Sequence, residues 1–148
     1  MSATAYQTAL TDQVQAATSD ARRVLDQAAE RKGSTLHNRV ADPWLCAQAQ
    51  GLTDALHAGA VRACHHLAHA PGVGHAAVWR PGLIVCADCT PALTPTTKED
   101  STCDRCRHHA NPIHAGLMIV GPILLGYGLC RSCATETGLA TSGGDCRG

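Results

Sequence analysis

The sequence predicts an α+β protein: an N-terminal α-helical hairpin followed by a small module of β-hairpins. Three observations carry this. Residues 1–32 and 43–60 hold apolar side chains at helical spacing. From residue 76 onward, short apolar runs alternate with Pro-Gly and Gly-Pro turns. Those runs end on cysteine pairs, Cys86/Cys89, Cys103/Cys106 and Cys130/Cys133, preceded by Cys64 and the histidines His65, His66, His69 and His75. Two residues between thiols let one tight turn aim both sulfurs at a single point, and two such pairs close a tetrahedron around Zn2+.

Composition agrees with a metal-dependent fold. The 148 residues suit one domain, or a small module with a helical extension. They include no Phe, two Trp and two Tyr. A stretch of about 70 residues so poor in large apolar groups does not fold on burial alone, and bound metal supplies the missing free energy. Nine cysteines is an odd number. Residues 1–10 lack the basic and apolar regions of a signal peptide. The cysteines are therefore expected as ligands in a reducing, cytoplasmic setting, not as disulfides.

Formal charge is zero, with 12 basic and 12 acidic residues, and six of each follow from Cys64 onward. Four thiolates on one zinc and three thiolates with a neutral imidazole on another leave the folded module about three charges negative. That balance argues against a broad electrostatic grip on DNA or RNA.

The first helix, about residues 4–32, places Leu10, Val14, Ala17, Ala21, Val24 and Ala28 on one narrow seam, with Gly33 where a helix would stop. The seam suits packing on the next helix, or pairing with a second copy as a short coiled coil. After a connector at 33–41, the second helix opens with Asp42 as N-cap and Pro43 in its first turn. Leu45, Ala49, Leu52, Leu56 and either Gly59 or Ala60 form its apolar face. Trp44 is expected to anchor packing, and Cys46 to be a small buried hydrophobe. The domain plan is a helical region at 1–62, a double metal-binding module at 63–138 and a flexible tail at 139–148.

In the module, Ala76 to Trp79 and Leu83 to Val85 flank a reverse turn at Arg80-Pro81-Gly82, and the second run leads straight into Cys86. Residues 90–101, rich in Thr, Pro and charge, are expected as an exposed loop. The second half repeats the plan, with Ile113 to Val120 and Ile123 to Leu129 joined at Gly121-Pro122 and ending on Cys130. The apolar run from Leu117 to Leu129 is 13 residues broken by Gly and Pro, too short to span a membrane, which needs about 20. Ala134 to Thr137 is expected as a helical turn stopped at Gly138, and Cys146 as a free thiol in the tail.

Cys103, Cys106, Cys130 and Cys133 group as one four-thiol site, because the 23 intervening residues suffice for a hairpin that brings both knuckles together. Cys86 and Cys89 then take Cys64 and one histidine. His66 is chosen because residues i and i+2 of an extended or turning backbone point the same way, and His69, His75 and His65 follow it. This arrangement resembles, over roughly residues 64–133 and best over 103–133, the generic zinc-ribbon and treble-clef modules. Arg107 and Ala134 stand after the second cysteines where many ribbon and rubredoxin knuckles have Gly, so the resemblance names no specific family. A RING-like cross-brace, pairing Cys64/His66 with Cys103/Cys106 and Cys86/Cys89 with Cys130/Cys133, uses the same eight residues; the long 90–101 segment favours sequential sites.

Both sites are full, leaving no open position for catalytic water. The glutamates number three, and the zinc-deaminase, His-Glu-x-x-His, Gly-x-Ser-x-Gly and phosphate-loop patterns are all missing. The expectation is a non-enzyme with two structural zinc ions acting as a protein-interaction or regulatory adaptor, its partner or second copy engaged through the N-terminal helices. The alternative is a nucleic-acid-binding zinc ribbon using Arg105, Arg107, His108, His109 and Arg131. A redox- or metal-responsive sensor built on the histidine-containing site is the third reading.

Overall fold

The computed structural model describes residues 3–32, 42–69 and 72–139. The connector with Gly33, and the tail with Cys146, lie outside the described residues. The architecture is α+β: a long N-terminal helix and a second shorter one, then two small sheets carrying two cysteine-rich clusters.

Helix α1 runs Ala3–Lys32 without a break, about 45 Å at 1.5 Å per residue. It meets strands β4 (His114–Val120) and β5 (Ile123–Leu129). Ala17 and Ala21 on its seam are 6% and 0% exposed, whereas Leu10 and Val14 are 43% and 44% exposed. The predicted seam is therefore divided. The part from Ala17 onward is buried or half-buried, its alanines letting the helix backbone lie close to other elements, and the N-terminal part with Leu10 and Val14 stands in solvent.

Helix α2, Pro43–His57, begins as expected: the Leu45 N–H donates to Asp42 Oδ1 at 3.0 Å, with Pro43 in the first turn. It ends three residues before the expected limit. The Ala60 N–H reaches Ala55 O (2.9 Å), the Gly59 N–H reaches Leu56 O (3.2 Å), and Gly59 sits at φ +67°. That is a Schellman cap, so Gly59 terminates the helix and does not extend its apolar face. Leu45 enters the main core with Met118, Leu125 and Tyr127, and Trp44 meets Tyr127 edge-on at 6.0 Å. Cys46 is exposed, contrary to expectation; one step of about 100° past buried Leu45 carries it off the packed face.

The larger sheet has the order β2-β5-β4, with β2 at Gly74–Ala77. β4 and β5 form the expected antiparallel hairpin across Gly121-Pro122, with Gly121 at φ +56°. All seven residues of β5 are buried, although Leu117 on β4 is 41% exposed. Gly116 lies opposite Tyr127, and a Cβ there would stand 2.4 Å from the phenol ring. Glycine is what lets that ring lie across β4.

The two halves are not copies of one plan. β2 pairs in parallel with β5, from Gly74↔Ile123 to Ala77↔Gly126. The first half thus adds a strand to the second half's hairpin. Its own return is one antiparallel bridge, His75↔Val85, around a turn with Gly82 at φ +78°. A two-stranded parallel sheet joins β1 (Arg62–Ala63) to β3 (Leu83–Ile84). Residues 90–101 are largely exposed, as expected, but they are fastened. Their two ends lie in 3-10 turns, Ala87–Leu93 and Glu99–Ser101. Leu93 is buried with Ala77 and Val85, Trp79 Nε1 donates to Leu93 O at 2.7 Å, and Arg80 pairs with Glu99. An indole anchor and an ion pair, neither visible in local composition, fasten the segment. No described helix is long and apolar enough to cross a membrane.

Candidate metal centres

Cys64 follows β1, and the chain then turns into the short helix α3 (His65–His69), whose first turn carries His66. Cys86 and Cys89 bracket the start of the 3-10 turn after β3. The β1–β3 pairing sets these pieces side by side, with the Cys64 N–H on Ile84 O at 3.1 Å. One donor atom from each of Cys64, His66, Cys86 and Cys89 lies within 4.8 Å of the other three. His66 Nδ1 is 3.7 Å from Cys86 Sγ and 3.4 Å from Cys89 Sγ. His69, His75 and His65 are not in this group. His66 gets there through a helical turn, not an extended strand, so the proximity expected of residues i and i+2 holds for a different local reason.

Cys103, Cys106, Cys130 and Cys133 form the second group under the same 4.8 Å limit. Cys103 and Cys106 lie on a turn before β4, while Cys130 and Cys133 span the end of β5 and the first turn of helix α4 (Arg131–Thr137). The hairpin brings the two turns together, and Gly138, at φ +78°, ends α4 as expected. The grouping is sequential, not cross-braced. Cys103 and Cys133 are buried, whereas every donor of the first group is half-buried or exposed.

The spacing and chemistry of both groups fit a tetrahedral ion. Bonds of 2.3 Å to sulfur and 2.0–2.1 Å to nitrogen imply tetrahedral edges of about 3.8 Å between sulfurs and about 3.6 Å between sulfur and nitrogen. Cys106 Sγ and Cys130 Sγ are 3.9 Å apart, near that edge and far from a disulfide bond of about 2.05 Å. The Cys86 N–H points at Cys64 Sγ from 3.2 Å, as a thiolate acceptor requires.

Proton affinities within each group diverge. Desolvation raises the Cys64 thiol, but the N–H groups of Cys86 and Leu67, with His66 and Cys86 side chains, outweigh it and bring the thiol to about 6. Desolvation likewise opposes, and the N–H groups of Cys106, Cys130 and Arg105 favour, the Cys103 thiolate at about 7. Their neighbours go the other way. Cys89 is pushed up to about 11 by the Cys86 side chain, burial and the Cys86 charge. Cys133 goes to about 12 through burial and then the Cys130, Cys103 and Cys106 side chains. In each group one thiol is thus pulled toward thiolate while another, Cys89 or Cys133, is pushed away from it by its neighbours and by burial. A divalent cation at the centre removes that conflict.

Two residues of the second knuckle carry roles that spacing alone did not reveal. Asp104 is 8% exposed; its Oδ2 accepts the Gly128 N–H at 2.7 Å and its own N–H donates to Gly128 O at 2.9 Å. It fastens the knuckle to β5. Arg105 pairs with Glu136 and lies 3.7 Å from Asp42, linking the knuckle to α4 and to the α2 cap. A charged pair inside Cys-x-x-Cys was the available signal. Arg107, after the second cysteine, adopts φ +65°, the conformation glycine supplies in many knuckles. His108 and His109 line a cleft of about 390 Å³ beside the second group, with Arg105, Ser132 and Glu136. Comparisons with family models, with curated proteins and with solved structures find no match to the chain.

Proposed function

We propose that the chain is a non-catalytic zinc-binding protein in which two structural zinc ions hold a small module for protein–protein contact. The observation that carries this reading is the presence of two complete donor sets, one of four thiols and one of three thiols and an imidazole. Thiolate-rich tetrahedral sets select zinc over the hard cations, and a full set leaves no position for a reacting water. The contact surface is the first half of α1. Leu10 and Val14 stand exposed there, and residues 4–16 carry a single charge, Asp12, so two copies bring only one carboxylate each to the contact.

A nucleic-acid role is disfavoured because Arg105, the best-placed knuckle arginine, is engaged by Glu136 and Asp42. X-ray absorption on protein purified without added metal is expected to show zinc in a sulfur-dominated shell with a minor imidazole share. Sedimentation velocity is expected to show a dimer that Leu10→Ser with Val14→Ser converts to monomer. Iron or an oxygen-rich shell contradicts the metal reading. A wild-type monomer contradicts the proposed contact, and salt-sensitive DNA binding lost in Arg107→Ala restores the alternative.

A further inference from the structure

Beside the first donor set lie two imidazoles that the set does not use. His65 and His69 are both exposed on α3, separated by one helical turn, with ring centroids 6.5 Å apart. Among the described residues neither ring has a hydrogen-bond partner, so their nitrogens face water. His65 also stacks against His66, at 4.0 Å between centroids and 36° between planes. Residues i and i+4 share a helix face, and two histidines so placed can grip one metal ion together.

We propose that His65 and His69 form a third, open metal site, taking one borderline divalent ion such as Ni2+ or Zn2+ from solution. Imidazole suits such ions, while Mg2+ and Ca2+ prefer oxygen donors. Metal–nitrogen bonds of 2.0–2.1 Å place the centroids of two imidazoles on one ion about 5 Å apart. The rings must therefore close by roughly 1.5 Å, which rotation of two exposed side chains supplies. Water fills the remaining positions, so this pair binds weakly and exchanges its ion freely, unlike the neighbouring closed set. Its position, one stacked ring from His66, makes it a holding site next to the closed one. That relation rests on Cys64, His66, Cys86 and Cys89 being metal ligands.

The test titrates untagged, zinc-loaded protein with NiCl2 calorimetrically, while native mass spectrometry follows retained zinc. One Ni2+ is expected to bind per chain with both zincs retained. His65→Ala and His69→Ala are each expected to weaken it at least tenfold without altering zinc content, and His108→Ala with His109→Ala to leave it unchanged. Absence of saturable Ni2+ binding, or affinity undiminished in the His65→Ala/His69→Ala variant, overturns the pair while leaving the two-zinc reading intact. Release of zinc as Ni2+ enters also overturns it, because nickel then occupies a thiolate set. A protein that never holds two zincs fails at the underlying reading instead.

Discussion

Replacing Asp104 isolates the fastening between the second cysteine group and the core. Its side chain is 4% exposed, and its carboxylate accepts the N–H of Gly128, in a strand buried throughout, at 2.7 Å. In Asp104→Ala that N–H loses its acceptor with no solvent to replace it, a cost of about 1–3 kcal/mol. The loss of Arg107, 3.9 Å away with its side chain 70% exposed, adds nothing measurable. Asp104→Asn keeps an acceptor oxygen in place. Burial already raises the Asp104 pKa, opposed by the Gly128 hydrogen bond and Arg107, so the charge itself is not what stabilises. The amide variant should therefore lie within about 1 kcal/mol of wild type. Urea unfolding at fixed zinc concentration reads the difference. With a slope near 2 kcal/mol/M, the alanine midpoint should fall by roughly 0.5–1.5 M at unchanged slope. Full stability in Asp104→Ala, or equal losses in both variants, would refute the fastening argument.

Three further perturbations have definite expected outcomes. Gly116→Ala drives a methyl into the buried Tyr127 ring and should cost about 1–3 kcal/mol in unfolding experiments, whereas Leu117→Ala next door, at an exposed position, should cost far less. Arg107→Val forces a β-branched residue into a left-handed conformation and should lose about 1–2 kcal/mol, while Arg107→Gly should hold or gain stability by thermal melting. Desolvation lowers the pKa of His75. A base held below its unfolded value stabilises the fold above that unfolded value, and this contribution is lost as pH falls through the folded one. Melting temperature should accordingly fall less between pH 7.5 and 5.5 in His75→Gln than in wild type, and an equal or steeper fall would refute the assignment.

The parts legible in the sequence were those written in short-range chemistry. Asp42-Pro43 marks a helix start by capping, Gly121-Pro122 marks a turn, and cysteines with two residues between them mark knuckles. Each signal spans only a few residues. What escaped depends on partners far along the chain. Nothing near residues 74–77 announces a parallel partner at 123–126. Nothing in 90–101 announces that Trp79 and Arg80 will fasten it. The seam of α1 was visible, but where a packed surface stops is a tertiary fact, so Leu10 and Val14 were indistinguishable from Ala17 and Ala21. Local direction along the chain favours His66 over His65, His69 and His75, yet His66 joins the group through a helical turn that local direction does not specify.

The most direct test of the central claim counts metal. Protein purified without added metal should, by native against denaturing mass spectrometry, carry two zinc ions per chain. Cys133→Ser and Cys89→Ser should each leave one ion, lost from different sets. A wild-type chain holding one ion, none, or iron would contradict two structural zinc centres built on these eight residues.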